Sequence, residues 1–392
     1  MDSIKKNKSN YSIFLLSLLF VEFISFFLRA NSLPNLGVMM RAVIFIYIIV
    51  NFALVLLTQL LNGRKNPKII SSAILFWAYS MLIYFINNQL DVFELINLTS
   101  WISVLYLFYY YGFPKSIKLL TLVSSVFVCI FILLYYRYAI VGGFVGDKPG
   151  VVNSIYYLVL SISFITLIDN KVPRNIMLVL ISVITLVSLK GTAIIIVFIA
   201  LLINYLFIKK NANRKNILLI FGGSLAFIVV WMIVSSVSNV GIVEILNSNI
   251  ESGGNGRFEI WEEIFKAFNQ GPLLNKLFGY GLNFSVNITE YSAHCDYIEI
   301  LSAFGIVGFI LFFRWFYCFA KEIFANAKQE TYFSSICFMV LSQISLIMMF
   351  STTMFISNYF LISMAISGMV FNEMLRENNE RINKESHRRV LK

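Results

Sequence analysis

Runs of mainly apolar residues recur along almost the whole chain, and this repetition constrains the fold more than any motif does. They lie at 11–28, 37–60, 69–86, 95–112, 119–136, 151–168, 176–189, 191–208, 217–236, 297–317, 333–350 and 353–371. A run of about 20 such residues crosses the hydrocarbon core of a bilayer as a helix. Lipid offers no partner for backbone N–H and C=O groups, so a span must be a helix or part of a closed barrel. The runs are continuous and do not alternate with period two, which excludes a barrel. Composition agrees, because 59% hydrophobic with 13% charged residues lies outside the range of soluble domains. The expected fold class is all-α: a polytopic membrane bundle of about twelve transmembrane helices.

Lysine and arginine set the orientation. With the N-terminus cytoplasmic, most of the 31 basic residues fall in inner loops and in the tail after residue 371. Both termini are then inside, and the net charge of +11 is explained by anionic inner-leaflet lipid without nucleic acid. The expected location is the bacterial inner (plasma) membrane. The first run resembles a signal peptide but is too long in its core, and reads as a retained anchor. Of the four cysteines, Cys129, Cys318 and Cys337 lie in or beside spans and only Cys295 faces outside, so no disulfide or metal site is suggested. "GYG" at 279–281 has no preceding strand and is a poor dinucleotide fingerprint.

The organisation is one-sided. Residues 1–236 carry nine spans, 237–296 form one large extracytoplasmic loop, 297–371 carry three more spans, and 372–392 form a basic cytoplasmic tail. Most loops are short, so function concentrates in the long one. Within it, "SGGNGRFEIWEEIFKAFNQGP" reads as a glycine-rich turn, an amphipathic helix and a stop at Gly271-Pro272. Trp261, Ile264, Phe265 and Phe268 share its apolar face.

Arg257 opens that helix beside Gly253, Gly254 and Gly256, where free amides and the helix dipole favour an anion. The competing reading is a surface arginine paired with Glu251. His294, one of two histidines, precedes the tenth span and has the residue type of a general base near neutral pH, with an ordinary pKa near ~6.5. Its competing reading is an interface histidine without chemistry. Lys190, in "SLKGTA", adds a cation at the outer turn or merely snorkels to the interface. Arg41, at the edge of the second span, is costly in lipid and either pairs with Glu22 or lines a cavity. Arg137 at the outer end of the fifth span and Asp296 beside His294 complete the candidate substrate-binding set. No DxD-type motif is present, and neither metal nor cofactor is expected.

"GR-x-x-x-W" at 256–261, "FGYGLNF" at 278–284 and "AHCDYIEILSAFGIVG" at 293–308, with "VSLKGTAIIIVFIALLI" upstream, resemble the O-antigen polymerase and ligase family of bacterial envelope enzymes. The resemblance covers about 120 residues of the C-terminal half plus the topology. It implies an inverting, metal-independent glycosyltransferase acting at the outer face on polyprenyl-diphosphate-linked oligosaccharides, alongside membrane lipid and the chain-length regulator and flippase of the same pathway. His294 matches the family's loop histidine, Arg257 its loop arginine, and Lys190 a basic residue that is more often arginine. Lysine lacks the guanidinium fork, and Cys295 stands where the family usually has asparagine. Repeat-unit joining for O-antigen or capsule is the favoured activity. Ligase-type transfer to a lipid or wall acceptor and lipid-linked glycan flipping are the alternatives.

Overall fold

The computed structural model describes residues 2–390, apart from 32–33, 64–65, 88–90, 115, 138–152, 169, 189, 206–255, 328–331, 352–353 and 355–358. The expected span at 217–236, the outer loop after Arg137, and the first part of the large loop with Glu251, Gly253 and Gly254 lie outside the described residues.

The described regular structure is helical throughout: α1 (Asp2–Asn31), α2 (Pro34–Leu61), α3 (Lys68–Ile86), α4 (Val92–Tyr111), α5 (Ile117–Tyr135), α6 (Ile155–Leu160), α7 (Ile162–Thr166), α8 (Lys171–Val187), α9 (Gly191–Ile203), α10 (Arg257–Gln270), α11 (Leu273–Phe278), α12 (Phe284–Thr289), α13 (Asp296–Ala327), α14 (Tyr332–Phe350) and α15 (Phe360–Val390). By length and apolarity, Asn35–Leu61, Lys68–Ile86, Val92–Tyr111 and Asp296–Phe324 can each cross a membrane. Shorter apolar helices include Tyr11–Ser25, Leu119–Tyr135, Ile155–Thr166, Gly191–Ile203 and Ser335–Phe350.

Several starts are fixed by side-chain caps of the expected types. Asp91 accepts from the Phe93 amide at 2.7 Å before α4, Ser116 from Leu119 at 3.3 Å before α5, and Asn170 from Val172 at 3.1 Å before α8. The segment from Ser154 to Ile168 is buried along its whole length, so α6 and α7 form the centre of the bundle. Their junction frees carbonyls that lipid could not satisfy. Gln343 of α14 donates to one carbonyl here, that of Val159, at 3.3 Å, and accepts from the Ser163 hydroxyl at 2.6 Å. Around this centre α15 packs along α4, α1 along α2, and α13 between α3 and α14. Trp101 and Trp315, with ring centroids 5.4 Å apart, join α4 to α13.

The helix α13 is broken at Gly305, whose φ of 66° and ψ of −172° are not helical. The chain between α11 and α12 docks at this break. The amides of Tyr280 and Gly281 donate to the carbonyls of Ser302 and Ala303 at 3.0 and 2.9 Å. Tyr79 of α3 donates to the Phe304 carbonyl at 3.0 Å and to that of Phe278 at 3.2 Å. The stretch 278–281 therefore enters the bundle at this point, and its backbone replaces helical bonds that the break removes.

Candidate active site

The sequence stop at Gly271 and the glycine turn at Gly256 bound α10 as expected, with Gly256 at φ 77°. Ile264 and Phe268 are buried, and Ile260 and Trp261 pack with them against Ala293, Cys295 and Ile298. Phe265, expected on the same face, is 39% exposed. The face that docks is thus centred on Ile264, one position away from the face the periodicity suggests.

This docking fixes the peptide ahead of His294. The Trp261 indole N–H donates to the Ala293 carbonyl at 2.6 Å, and the Ala293 amide donates to Glu299 Oε1 at 2.7 Å. Ser285 of α12 donates to both Glu299 oxygens, at 2.7 and 2.8 Å. His294 itself has φ 51°, a left-handed conformation uncommon for a residue with a Cβ. Such strain persists only where neighbouring contacts over-determine it, and it clusters at functional sites. Glu299→Ala removes the acceptor for two buried donors, at about 1–3 kcal/mol each. It is expected to lower both the melting temperature in detergent and glycan transfer. Glu299→Gln keeps an acceptor oxygen and should lose much less of each.

Two cations meet His294 from other parts of the chain. Lys190 is the N-cap residue of α9 and Arg257 the first residue of α10. Unlike α4, α5 and α8, neither start has a side-chain cap. Burial and then the charges of Arg257 and Lys190 hold the His294 imidazole below its ordinary 6.5. Burial and Arg257 likewise pull the Lys190 ammonium below its usual 10.5. Positive side chains at the positive ends of two helices oppose the helix dipoles and each other. An anion placed among them would be held by both cations and by the uncapped amides. The Lys190 ammonium also lies 6.0 Å from the ring centroid of Tyr156, the second residue of α6.

Among the described residues, Asp296 and Arg41 have partners of their own elsewhere. Asp296, two residues from His294, is wholly buried, and its carboxylate accepts from the Met354 amide at 3.2 Å, tying the start of α13 to the bundle. Arg41 donates to Asn97 at 2.8 Å and lies 3.9 Å from Glu22, whose other oxygen accepts from Tyr157 at 3.1 Å. It is a buried ion pair one residue removed from Tyr156. Arg137 is exposed at the end of α5. Trp261 was legible on the apolar face of α10 and in the "GR-x-x-x-W" stretch, whereas Ser285, Glu299 and Tyr156 were not singled out from sequence, because in a chain this rich in aromatic and small polar residues they carry no signal of their own.

No curated protein matches the chain. Residues 176–313 are similar to the family model described as O-antigen ligase, and Lys190, Arg257 and His294 all fall within the matched stretch.

Proposed function

We propose that the protein is an integral membrane glycosyltransferase that polymerises polyprenyl-diphosphate-linked oligosaccharides at the outer face of the membrane, within a twelve-span topology whose termini are both cytoplasmic. The observation that carries this reading is the meeting of one neutral imidazole with two cations, each at an uncapped helix start.

A hydroxyl of the acceptor glycan attacks the anomeric carbon of the donor, and the bond from that carbon to the diphosphate oxygen breaks. The hydroxyl proton passes to His294, and the electron pair leaves with the lipid diphosphate. Arg257 and Lys190, together with the amides opening α9 and α10, stabilise the charge that grows on the leaving oxygen. A displacement in one step inverts the anomeric centre. Asp296, Arg41 and Arg137 act in this reading through the scaffold or at its edge.

Ligase-type transfer is the second reading, favoured by the description of the matching family. It uses the same donor half of the site with a different acceptor. The flippase alternative has no support. Gene deletion followed by gel analysis of surface and lipid-linked glycans separates them. Loss of a polymerase leaves single repeat units. Long lipid-linked chains after deletion would instead make the protein a ligase, and units stranded on the inner leaflet would overturn both enzyme readings.

A further inference from the structure

Two adjacent tyrosines in the first turn of α6 differ in one respect. Both are buried, at 0% and 1% exposure. The Tyr157 hydroxyl donates to Glu22 at 3.1 Å. Among the described residues, the Tyr156 hydroxyl has no partner in hydrogen-bond geometry, although the Thr192 side chain of α9 lies beside it. The ring of Tyr156 is held between the Lys190 ammonium, 6.0 Å from its centroid, and the Tyr359 ring at 5.4 Å. Arg257 lies within electrostatic reach of the same phenol. A buried hydroxyl left without a partner is disfavoured, and native proteins rarely keep one without a reason.

We propose that the Tyr156 hydroxyl is a third, neutral contact for the leaving diphosphate, donating a hydrogen bond to a phosphate oxygen held between Lys190 and Arg257. This rests on the glycosyltransferase reading above and adds a substrate-contacting residue to it. No proton is transferred: the phenol keeps its hydrogen, and the negative charge stays on the departing diphosphate. The neutral donor suits the position, because a third cation here would itself be buried and would repel Lys190, which burial and then Arg257 already pull below its usual value.

Tyr156→Phe tests it, since the ring that packs on Lys190 and Tyr359 remains and only the oxygen is lost. A hydrogen bond to a charged group is worth a rate factor of roughly 10 to 100. In a deletion strain, the variant at wild-type protein level should restore glycan transfer that many-fold more slowly. The purified full-length variant in detergent should melt at or above the wild-type temperature, because an unpartnered buried hydroxyl has been removed. Inorganic diphosphate should raise the melting temperature of the wild type more than that of the variant. Wild-type transfer by Tyr156→Phe would overturn the proposal, and so would a lowered melting temperature that accounts for the loss. If Arg257→Ala and His294→Ala also transfer normally, the glycosyltransferase reading itself fails. If those two are inactive while Tyr156→Phe is not, only the third contact fails.

Discussion

His294→Ala lowers glycan transfer by about 10²- to 10⁴-fold, the usual contribution of a positioned general base. Alanine alone is an imperfect test, because the left-handed backbone at φ 51° penalises most residues with a Cβ. Asparagine tolerates that conformation better than most, so His294→Asn removes the base while the loop keeps its shape. Both variants should accumulate in the membrane and both should be inactive. The pH profile supplies an independent reading. Neutral imidazole is the active form, so activity falls as pH drops through the His294 pKa. Burial, Arg257 and Lys190 lower that pKa, so the acid limb lies below 6.5, in contrast to the unperturbed value expected from sequence. Arg257→Gln removes one of the causes, and the limb of its residual activity should move up toward 6.5. Full activity in His294→Asn with the same acid limb would require the base assignment to be withdrawn.

The three residues that meet at the site were legible because each is chemically out of place. In a chain with 13% charged residues, an arginine opening an amphipathic helix, a lysine at an outer turn and the one histidine of the large loop are conspicuous. Their meeting was suggested by a family resemblance and by topology, and by no spacing, since more than 60 residues separate Lys190 from Arg257. Asp296 shows the opposite case. Its nearness to His294 in sequence suggested a shared site, but the helix begins at Asp296 and turns its carboxylate toward Met354. Position along the chain does not give direction around a helix axis.

The positioning residues were illegible for a different reason. Glu299 reads as a costly carboxylate near a span edge until the Ala293 amide and Ser285 are seen to converge on it. Tyr156 reads as one more interfacial tyrosine among the 20 in the chain. What these side chains do is set by partners far away in sequence, and those partners are supplied by tertiary packing. The all-helical character, with several helices long and apolar enough to cross a membrane, was legible because the solvent requirement of a bilayer acts on every residue of a span. A hydrogen bond acts on two.

The break in α13 is the extreme instance, and it yields the last expected result: Gly305→Ala prevents the site from assembling. In sequence, "SAFGIVG" is an ordinary stretch of small and apolar residues. In the fold, Gly305 occupies a region of backbone space open essentially to glycine alone. A Cβ there would stand 2.5 Å from both the Gly279 nitrogen and the Leu277 carbonyl oxygen, and these are backbone atoms that no rotamer change can move. Gly279 is the mirror case, at φ 97°, with a Cβ that would meet the Ala303 oxygen at 2.1 Å. Strain of about 1–3 kcal/mol and overpacking of similar size act together at each position. Against a total stability of about 5–15 kcal/mol this is enough to expel the inserted strap. The Ser302 and Ala303 carbonyls would then lose their partners, and α12, which carries Ser285 to Glu299, would lose its anchor. Gly305→Ala and Gly279→Ala should therefore accumulate poorly in membrane fractions and melt well below the wild type in detergent. Gly191→Ala, where a Cβ meets nothing within 4 Å, should accumulate and melt normally. Wild-type abundance and melting in Gly305→Ala would mean that the strap is not seated at the break, and the path from the inserted loop to His294 would have to be redrawn.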